Sequence, residues 1–131
     1  MKTLIVEDDS TSGLLMQELL RSYGRSRLAV NGREAVEAVG AALEAGHPYD
    51  LICMDLMLPE MDGQQALKAI RSLERARGVN EGEGAKIVMT TALGDMPSVV
   101  AAVSNQCDAY LTKPIRKAKL LQELRRLSLI A

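Results

Sequence analysis

The sequence predicts an α/β fold, a flavodoxin-like (βα)5 three-layer sandwich with a parallel sheet of strand order 2-1-3-4-5. Five short apolar runs of strand length alternate with stretches of helical periodicity, and the connections between them are short. Right-handed crossovers leave few topologies for such a chain, and this strand order is one of the two common ones. Because strands 1 and 3 are neighbours in it, polar residues at their carboxyl ends would meet.

The first predicted strand covers residues 3–6 and ends at an acidic cluster. Ser10, Thr11 or Ser12 can cap the helix that follows, because their hydroxyl oxygens accept hydrogen bonds from free backbone N–H groups. Gly24 is a good left-handed residue for the end of this helix.

The second predicted strand covers residues 27–30, and Asn31-Gly32 predicts a turn after it. An alanine-rich helix over 34–45 follows. The third strand, 49–54, is a continuous apolar run after its first two residues, which is typical of a strand buried on both faces.

The second half of the chain repeats the alternation. Asp62-Gly63 is interpreted as a simple turn into the third helix, and Pro97 fits the first turn of the fourth. The predicted elements are a helix over 64–77, a strand over 86–90, a helix over 98–105, a strand over 109–112 and a helix over 117–129.

Length and composition predict one soluble domain over residues 1–131, with 47% apolar and 25% charged residues. The core must be almost wholly aliphatic, because the chain has no Phe or Trp. No apolar run approaches the roughly 20 residues of a membrane helix, and the N-terminus does not resemble a signal peptide. We therefore expect a cytoplasmic protein with no membrane partner.

Cysteine and histidine usage argues against several kinds of site. Cys53 and Cys107 lack metal-ligand spacing and are interpreted as buried free thiols, with a disulfide as the alternative. His47 is the only histidine and should face solvent. A zinc site or a histidine-based catalytic triad is therefore not expected.

Charge is distributed unevenly along the chain. Residues 1–65 hold 11 acidic and 5 basic residues, whereas residues 66–131 hold 6 acidic and 11 basic ones. The basic excess near the C-terminus has no aromatic platform or helix-turn-helix pattern beside it, so direct nucleic-acid binding is not expected. A solvated helix face, or a surface for an acidic protein, is the better interpretation.

Three polar clusters far apart in the chain each follow a predicted strand. They are Glu7-Asp8-Asp9, Asp55 and Lys113. Since the carboxyl ends of parallel strands open onto one crevice, we expect these side chains to meet there. Carboxylates for a divalent cation, one more as nucleophile and a cation for the phosphate are what phosphoryl transfer to aspartate requires.

With these residues placed, the chain resembles over its full length the receiver domain of bacterial two-component response regulators. No output domain follows the last helix in this sequence, so we expect either a stand-alone, chemotaxis-regulator-like receiver or a piece cut from a longer protein. Four matching stretches occur in order at strand ends. They are Leu4-Ile5-Val6-Glu7-Asp8-Asp9, Met54-Asp55-Leu56-Met57-Leu58-Pro59-Glu60-Met61-Asp62-Gly63, Thr90-Thr91-Ala92 and Tyr110-Leu111-Thr112-Lys113-Pro114.

The resemblance implies a role for each matching site residue. Asp55 corresponds to the phosphoacceptor. Glu7 and Asp8 match the acidic pair that holds Mg²⁺, with Mn²⁺ as an alternative ion, and the backbone carbonyl of Met57 is a further ligand. Lys113 matches the lysine that pairs with the phosphoryl group.

Two further matches imply a conformational switch. Thr91 corresponds to the hydroxyl residue that moves onto the phosphoryl group, and Tyr110 to the aromatic residue that turns inward on activation. The alternatives are an ordinary strand residue for Thr91 and a core aromatic for Tyr110. The Lys113–Pro114 peptide is usually cis in this family.

The resemblance also implies partners. The phosphoryl donor is a histidine kinase or a histidine phosphotransfer protein, and the transfer and slow autodephosphorylation are the only reactions, so the protein is not a conventional enzyme. The output protein is unknown, and it would contact the face formed by the fourth helix, the fifth strand and the last helix.

The valines of the fourth helix have two interpretations. They form either an interface, including that of a homodimer formed on phosphorylation, or a stripe that faces the interior. They are Val99, Val100 and Val103.

Three other functions fit these residues less well. A binding module that is never phosphorylated would not need the acidic, hydroxyl and lysine residues described above. A haloacid-type hydrolase carries its nucleophile after strand 1 in an Asp-x-Asp pattern, which Glu7-Asp8-Asp9 lacks. A flavin carrier of the same fold would have a Ser/Thr/Gly-rich phosphate loop after strand 1, and none is present.

Overall fold

A computed structural model describes residues 1–92 and 107–131. The fourth predicted helix, residues 98–105, lies outside the described residues, together with Pro97 before it. The three valines on which a partner surface or an inward stripe was predicted belong to the same stretch.

Five parallel strands form one sheet with the order β2-β1-β3-β4-β5. The predicted fold class and strand order are therefore confirmed. The strands are β1 (Thr3–Val6), β2 (Ser26–Ala29), β3 (Leu51–Asp55), β4 (Lys86–Thr91) and β5 (Ala109–Thr112).

The described helices pack on the two faces of this sheet. They are α1 (Ser10–Leu20), α2 (Gly32–Glu44), α3 (Gly63–Ala76) and a C-terminal helix (Lys117–Arg126). Alternate strand residues point to opposite faces, so Ile52 packs with α2 and α3 while Cys53 packs with α1 and the C-terminal helix. Each fully buried leucine or isoleucine of these two layers contributes roughly 1.5–3 kcal/mol. The aliphatic core is thus divided by the sheet.

The caps of the first two helices correct the prediction. Asp9, rather than Ser10, Thr11 or Ser12, caps α1, because its carboxylate accepts hydrogen bonds from the Ser12 hydroxyl (2.8 Å) and the Thr11 N–H (3.1 Å). These two hydrogen bonds also lower the pKa of Asp9.

The turn predicted at Asn31-Gly32 is instead the start of α2. The Asn31 side chain accepts a hydrogen bond of 2.8 Å from the Glu34 N–H. Gly32 is already the first helical residue. The helix therefore begins two residues earlier than the alanine-rich stretch suggested.

Other boundaries differ by a few residues. β2 begins one residue earlier than predicted, and β3 begins at Leu51 and includes Asp55. The C-terminal helix ends at Arg126, because Ser128 adopts a positive φ of 61° that a continuing helix does not allow. Gly24 has a φ of 128° after a 3-10 turn that extends α1, consistent with its predicted place at the end of that helix.

A buried ion network at the amino-terminal edge of the sheet was not predicted. The Arg71 guanidinium lies 2.7 Å from Glu74 and 2.9 Å from Asp108 and donates to the Ala85 carbonyl at 2.8 Å. The second oxygen of Glu74 accepts the Ala85 N–H at 2.8 Å. The network joins α3 to the residue that precedes β4 and to the residue that precedes β5.

The remaining expectations from composition are mostly met. Cys53 and Cys107 are free thiols; Cys53 is buried, which raises its pKa to about 12, and Cys107 is only half-buried. His47 is exposed. Across the described ranges, 1–92 and 107–131, every helix is too short or too polar to span a bilayer.

Candidate functional site

The site lies at the carboxyl edge of the sheet, where β1 and β3 are adjacent. Glu7 directly follows β1, and its N–H donates to the Ala29 carbonyl of β2 at 2.9 Å. Asp55 is the last residue of β3, and the next N–H, that of Leu56, donates to the Thr90 carbonyl of β4 at 3.0 Å. Backbone hydrogen bonds to neighbouring strands therefore fix where both acidic residues emerge.

Lys113 reaches this point from the end of β5. Its backbone N–H donates to the Thr91 carbonyl at 2.8 Å, which continues the β4–β5 pairing by one residue. Its Nζ lies 2.8 Å from Asp55 Oδ2 and 3.0 Å from Glu7 Oε2. The lysine thus bridges two acids that precede it by 58 and 106 residues.

The Asp55 carboxylate is enclosed and held at both oxygens. Asp55 is 5% exposed and Glu7 is 7% exposed. The Met57 N–H donates to Asp55 Oδ1 at 2.9 Å, while Lys113 occupies Oδ2. The sequence did not predict the hydrogen bond from the Met57 N–H, because a sequence does not show which backbone N–H group will reach a given side chain.

Burial and charge act on Glu7 and Lys113 in opposite ways. Desolvation raises the pKa of Glu7, and the negative charge of Asp55 adds to this, while the hydrogen bond from Lys113 opposes it. Burial alone would lower the pKa of Lys113, but its hydrogen bonds to Asp55 and Glu7 and their charges outweigh that effect and raise it. The lysine is therefore held as a cation between the two acids.

The acidic residues fit a divalent metal ion. One carboxylate oxygen each from Glu7, Asp8 and Asp55 lies within 4.8 Å of the other two, and Asp8 is exposed to the crevice. Carboxylate oxygens are hard ligands, and Mg²⁺ is typically bound by one or two of them together with water and phosphate oxygens. Glu7, Asp8 and Asp55 are the residues that would hold such an ion.

Thr91 lies at the end of β4, the strand next to β3, and Tyr110 lies on β5, the strand beyond whose end Lys113 extends. Thr91 ends β4, is buried, and donates from its hydroxyl to the Ala92 carbonyl at 3.3 Å. Tyr110 is exposed on β5, so the alternative of a core aromatic is wrong. The Lys113–Pro114 peptide is cis, as the resemblance implied.

A doubly wound parallel sheet with clustered carboxylates at two adjacent strand ends and a lysine from a third is an arrangement suited to binding a divalent cation and a phosphate group. The family model described as "Response regulator receiver domain" matches residues 3–125. The chain therefore belongs to the response regulator receiver domain family.

Curated relatives include receiver-containing kinases and small stand-alone proteins. The chain is 38% identical over 122 residues to the Sensor histidine kinase GacS of Pseudomonas protegens, covering 92% of this chain but only 12% of that protein. It is 29% identical over 125 residues to the Chemotaxis protein CheY of Bacillus subtilis, covering 94% of this chain and 93% of that one. Similarity is thus found both to a domain of a large kinase and to a whole small regulator.

Two solved structures bear on the site. The receiver domain of sensor histidine kinase PA1611 from Pseudomonas aeruginosa, described with a magnesium ion in its active-site cleft, has a TM-score of 0.77 at 29% identity and covers 97% of both chains. The receiver domain of Ssk1 from Saccharomyces cerevisiae, solved with the histidine phosphotransfer protein Ypd1, has a TM-score of 0.81 at 30% identity. That match covers 97% of this chain and 88% of the other.

Proposed function

We propose that this chain is a phosphorylation-activated switch that accepts a phosphoryl group on Asp55 from a histidine kinase or a histidine phosphotransfer protein. The observation that carries the proposal is the convergence of Glu7, Asp55 and Lys113 at one strand edge, with distances of 2.8 and 3.0 Å from the lysine to the two acids. We take residues 1–131 to act as one receiver domain in the cytoplasm.

Asp55 is the nucleophile in this proposal. One of its carboxylate oxygens attacks phosphorus, the P–N bond of the donor phosphohistidine breaks, and the imidazole leaves with the electron pair and takes up a proton from water. Glu7, Asp8, Asp55 and the Met57 carbonyl would hold Mg²⁺, and Mn²⁺ can replace it. When bound, the ion supplies positive charge that offsets the carboxylates and the incoming phosphoryl oxygens.

Lys113 has two successive partners in this proposal. Before transfer it offsets part of the negative charge of Glu7 and Asp55 through its two short contacts. After transfer its ammonium pairs with a phosphoryl oxygen, because the product adds about −1.5 to −2 charge at the same place. A charge-assisted hydrogen bond of this kind is stronger than a neutral one.

The switch would involve Thr91 and Tyr110. The Thr91 hydroxyl makes one long hydrogen bond to a neighbouring carbonyl. Turning toward the phosphoryl group would therefore break only this weak hydrogen bond. The exposed Tyr110 can then turn inward and alter the face that β5 shares with the C-terminal helix. An unknown output protein, or a second copy of the chain, would recognise this altered face. The fourth predicted helix, which would complete it, lies outside the described residues.

The experiment that tests the proposed function is intact-mass measurement after incubation with acetyl phosphate and Mg²⁺. We expect one phosphoryl adduct per chain, none in EDTA and none in Asp55→Asn, whose amide is not a nucleophile. An adduct that persists in Asp55→Asn would place the acceptor elsewhere. The absence of an adduct together with undetectable Mg²⁺ binding would favour the module that works by protein contacts alone.

A protein donor would have to cover the apolar surface around the site. Leu14 and Leu15 on α1 are 60% and 54% exposed, and Met57 and Val30, each just beyond a strand end, are exposed too. Leu14 lies five residues beyond the cap Asp9, which is about 8 Å along the helix. An interface of about 800 Å² per partner has a radius of about 16 Å, which exceeds the distance from the start of α1, beside the acidic cluster, to these leucines.

Replacing both leucines by alanine should therefore separate protein donors from small ones. In Leu14→Ala/Leu15→Ala we expect kcat/KM for transfer from a phosphorylated histidine phosphotransfer protein to fall about thirtyfold, because two apolar contacts of about 1 kcal/mol each are lost. Phosphorylation by acetyl phosphate should stay at the wild-type rate. The matched control is Lys68→Ala/Arg75→Ala, which truncates two exposed side chains of α3. Equal loss with both donors would show damage to the site rather than loss of docking.

A further inference from the structure

We call residues 56–62, which follow Asp55, the acceptor loop. Two glycines pack against the backbone at the two ends of this loop. Gly63, the first residue of α3, lies so close to the preceding chain that a Cβ there would be 2.4 Å from the Asp55 carbonyl oxygen and 2.8 Å from Leu56 Cα. Gly32, the first residue of α2, lies equally close to the other end of the loop, where a Cβ would be 2.2 Å from the Met61 carbonyl oxygen.

Backbone conformation does not require glycine at either position. Both residues are helical, and neither has the positive φ found at Gly24, Gly46, Gly78 and Gly82. At an ordinary helical position, alanine would be the better residue, because it restricts the unfolded chain and favours the helix. What demands glycine here is space, and the nearest atoms at both positions belong to the backbone, which cannot rotate away as a side chain would.

The contact at Gly63 leads directly to the nucleophile. The Gly63 N–H donates to the Leu56 carbonyl at 3.1 Å, and the Leu56 N–H donates to the Thr90 carbonyl at 3.0 Å, so the residue after Asp55 is held between α3 and β4. The Met57 N–H in turn holds Asp55 Oδ1. A methyl group at Gly63 would have to push this segment by about 1 Å to reach ordinary van der Waals contact.

We propose that Gly63 and Gly32 are positioning residues for phosphoryl transfer. Their missing side chains let two helix starts clamp the acceptor loop, and the clamp sets the Asp55 carboxylate against Glu7, Asp8 and Lys113. The inference rests on the proposed function and adds residues that act through the loop rather than on the phosphoryl group. A displacement of about 1 Å at a reacting group can cost about a hundredfold in rate, so Gly63 should matter more than Gly32.

The test compares three glycine-to-alanine variants. We expect Gly63→Ala to reduce the rate of phosphorylation at saturating Mg²⁺ and acetyl phosphate by tenfold to a hundredfold. Gly32→Ala, whose contact is at Met61, should weaken Mg²⁺ binding about threefold with a smaller change in rate. The matched control is Gly84→Ala, where a Cβ would lie 2.2 Å from a Glu74 carboxylate oxygen, far from Asp55. It is expected to lose stability but keep the wild-type rate.

Loss of folding is excluded by a second variant and a second readout. Gly40→Ala should stabilise α2, since the nearest atom to a Cβ there is Leu73 Cδ1 at 3.7 Å, so Gly40→Ala/Gly63→Ala keeps the protein folded at the assay temperature. In metal-free protein, the ¹⁵N–¹H signal of the Met57 amide should shift in Gly63→Ala and stay in place in Gly84→Ala. Wild-type rate and an unmoved Met57 signal in the folded double variant would overturn the inference.

A wild-type chain that takes up no phosphoryl group would instead contradict the proposed function. In that case Mg²⁺ affinity by calorimetry and the Met57 amide signal would still report on the clamp. A Gly63→Ala variant with unchanged values for both would overturn the positioning role as well. The two failures are therefore distinguishable.

Discussion

Lys113→Ala is expected to slow phosphorylation of Asp55 by acetyl phosphate about a hundredfold while strengthening Mg²⁺ binding. The rate falls because the ammonium that would stabilise the phosphoryl oxygens is gone, and loss of one such electrostatic contact costs about 10²–10³ in rate. Mg²⁺ binding strengthens because Lys113, which now bridges Glu7 and Asp55 at 3.0 and 2.8 Å, no longer competes with the ion for the same oxygens.

The stronger Mg²⁺ binding follows from the negative charges that remain when the lysine is removed. Two carboxylates whose ligand oxygens lie within 4.8 Å repel each other by about 3.5 kcal/mol at an effective dielectric of about 20. Without the lysine, only a bound cation or a proton relieves this repulsion, so the ion gains affinity. Intact-mass kinetics give the rate, and calorimetric titration gives the Mg²⁺ dissociation constant.

Lys117→Ala is the control for this prediction, since Lys117 is an exposed lysine at the start of the C-terminal helix. It should change neither the rate nor the Mg²⁺ affinity. A Lys113→Ala variant that is phosphorylated at the wild-type rate would contradict the role given to this lysine. Weaker Mg²⁺ binding in that variant would contradict the competition between lysine and metal.

Glu74→Ala is expected to have the largest effect on stability, lowering the free energy of unfolding by about 3–5 kcal/mol. Glu74 is 5% exposed and faces Arg71 at 2.7 Å and the Ala85 N–H at 2.8 Å. Without the Glu74 carboxylate, the buried guanidinium of Arg71 loses one of its anionic partners. The buried N–H of Ala85 loses its hydrogen-bond acceptor. For a domain of this size the melting temperature should drop by roughly 10–15 °C.

Thermal unfolding followed by circular dichroism measures this change, with Glu37→Ala as the matched control. Glu37 is an exposed glutamate inside α2, and its replacement should shift the melting temperature by no more than about 2 °C. Because the ion network lies at the opposite edge of the sheet from Asp55, Glu74→Ala should still be phosphorylated below its melting temperature. Equal stability of the two variants would mean that the buried pair contributes nothing.

Most of the fold could be predicted because its signals are local. Apolar runs such as Leu51–Asp55 have a length and composition that suit a buried parallel strand, and the helices between them have an apolar stripe. Short connections and right-handed crossovers then leave few strand orders. The ends of the elements were less predictable. Four consecutive residues can cap α1, namely Asp9, Ser10, Thr11 and Ser12. The position where β1 ends decides which of them reaches the free N–H groups.

The acidic part of the candidate site could be predicted for a different reason. Glu7 and Asp55 each follow an apolar strand, and the order 2-1-3-4-5 makes those strands neighbours. The rule that ligands bind at the carboxyl ends of parallel strands then places both acids at one crevice. The roles given to them, to Asp8, to Thr91 and to Tyr110 are proposals, and the Asp55→Asn variant tests the first of these roles directly.

The sequence by itself determined the fold class, the strand order, the family and the edge of the sheet where the charged residues gather, because periodicity and strand-end position are properties of short segments. Only the tertiary structure decided that Lys113 bridges Glu7 and Asp55, that Gly63 lies against the backbone of Asp55, and that Glu74 is buried with Arg71. These contacts join residues that are 3 to 106 positions apart. They depend on how closely packed helices and strands approach one another, and sequence spacing does not encode that distance.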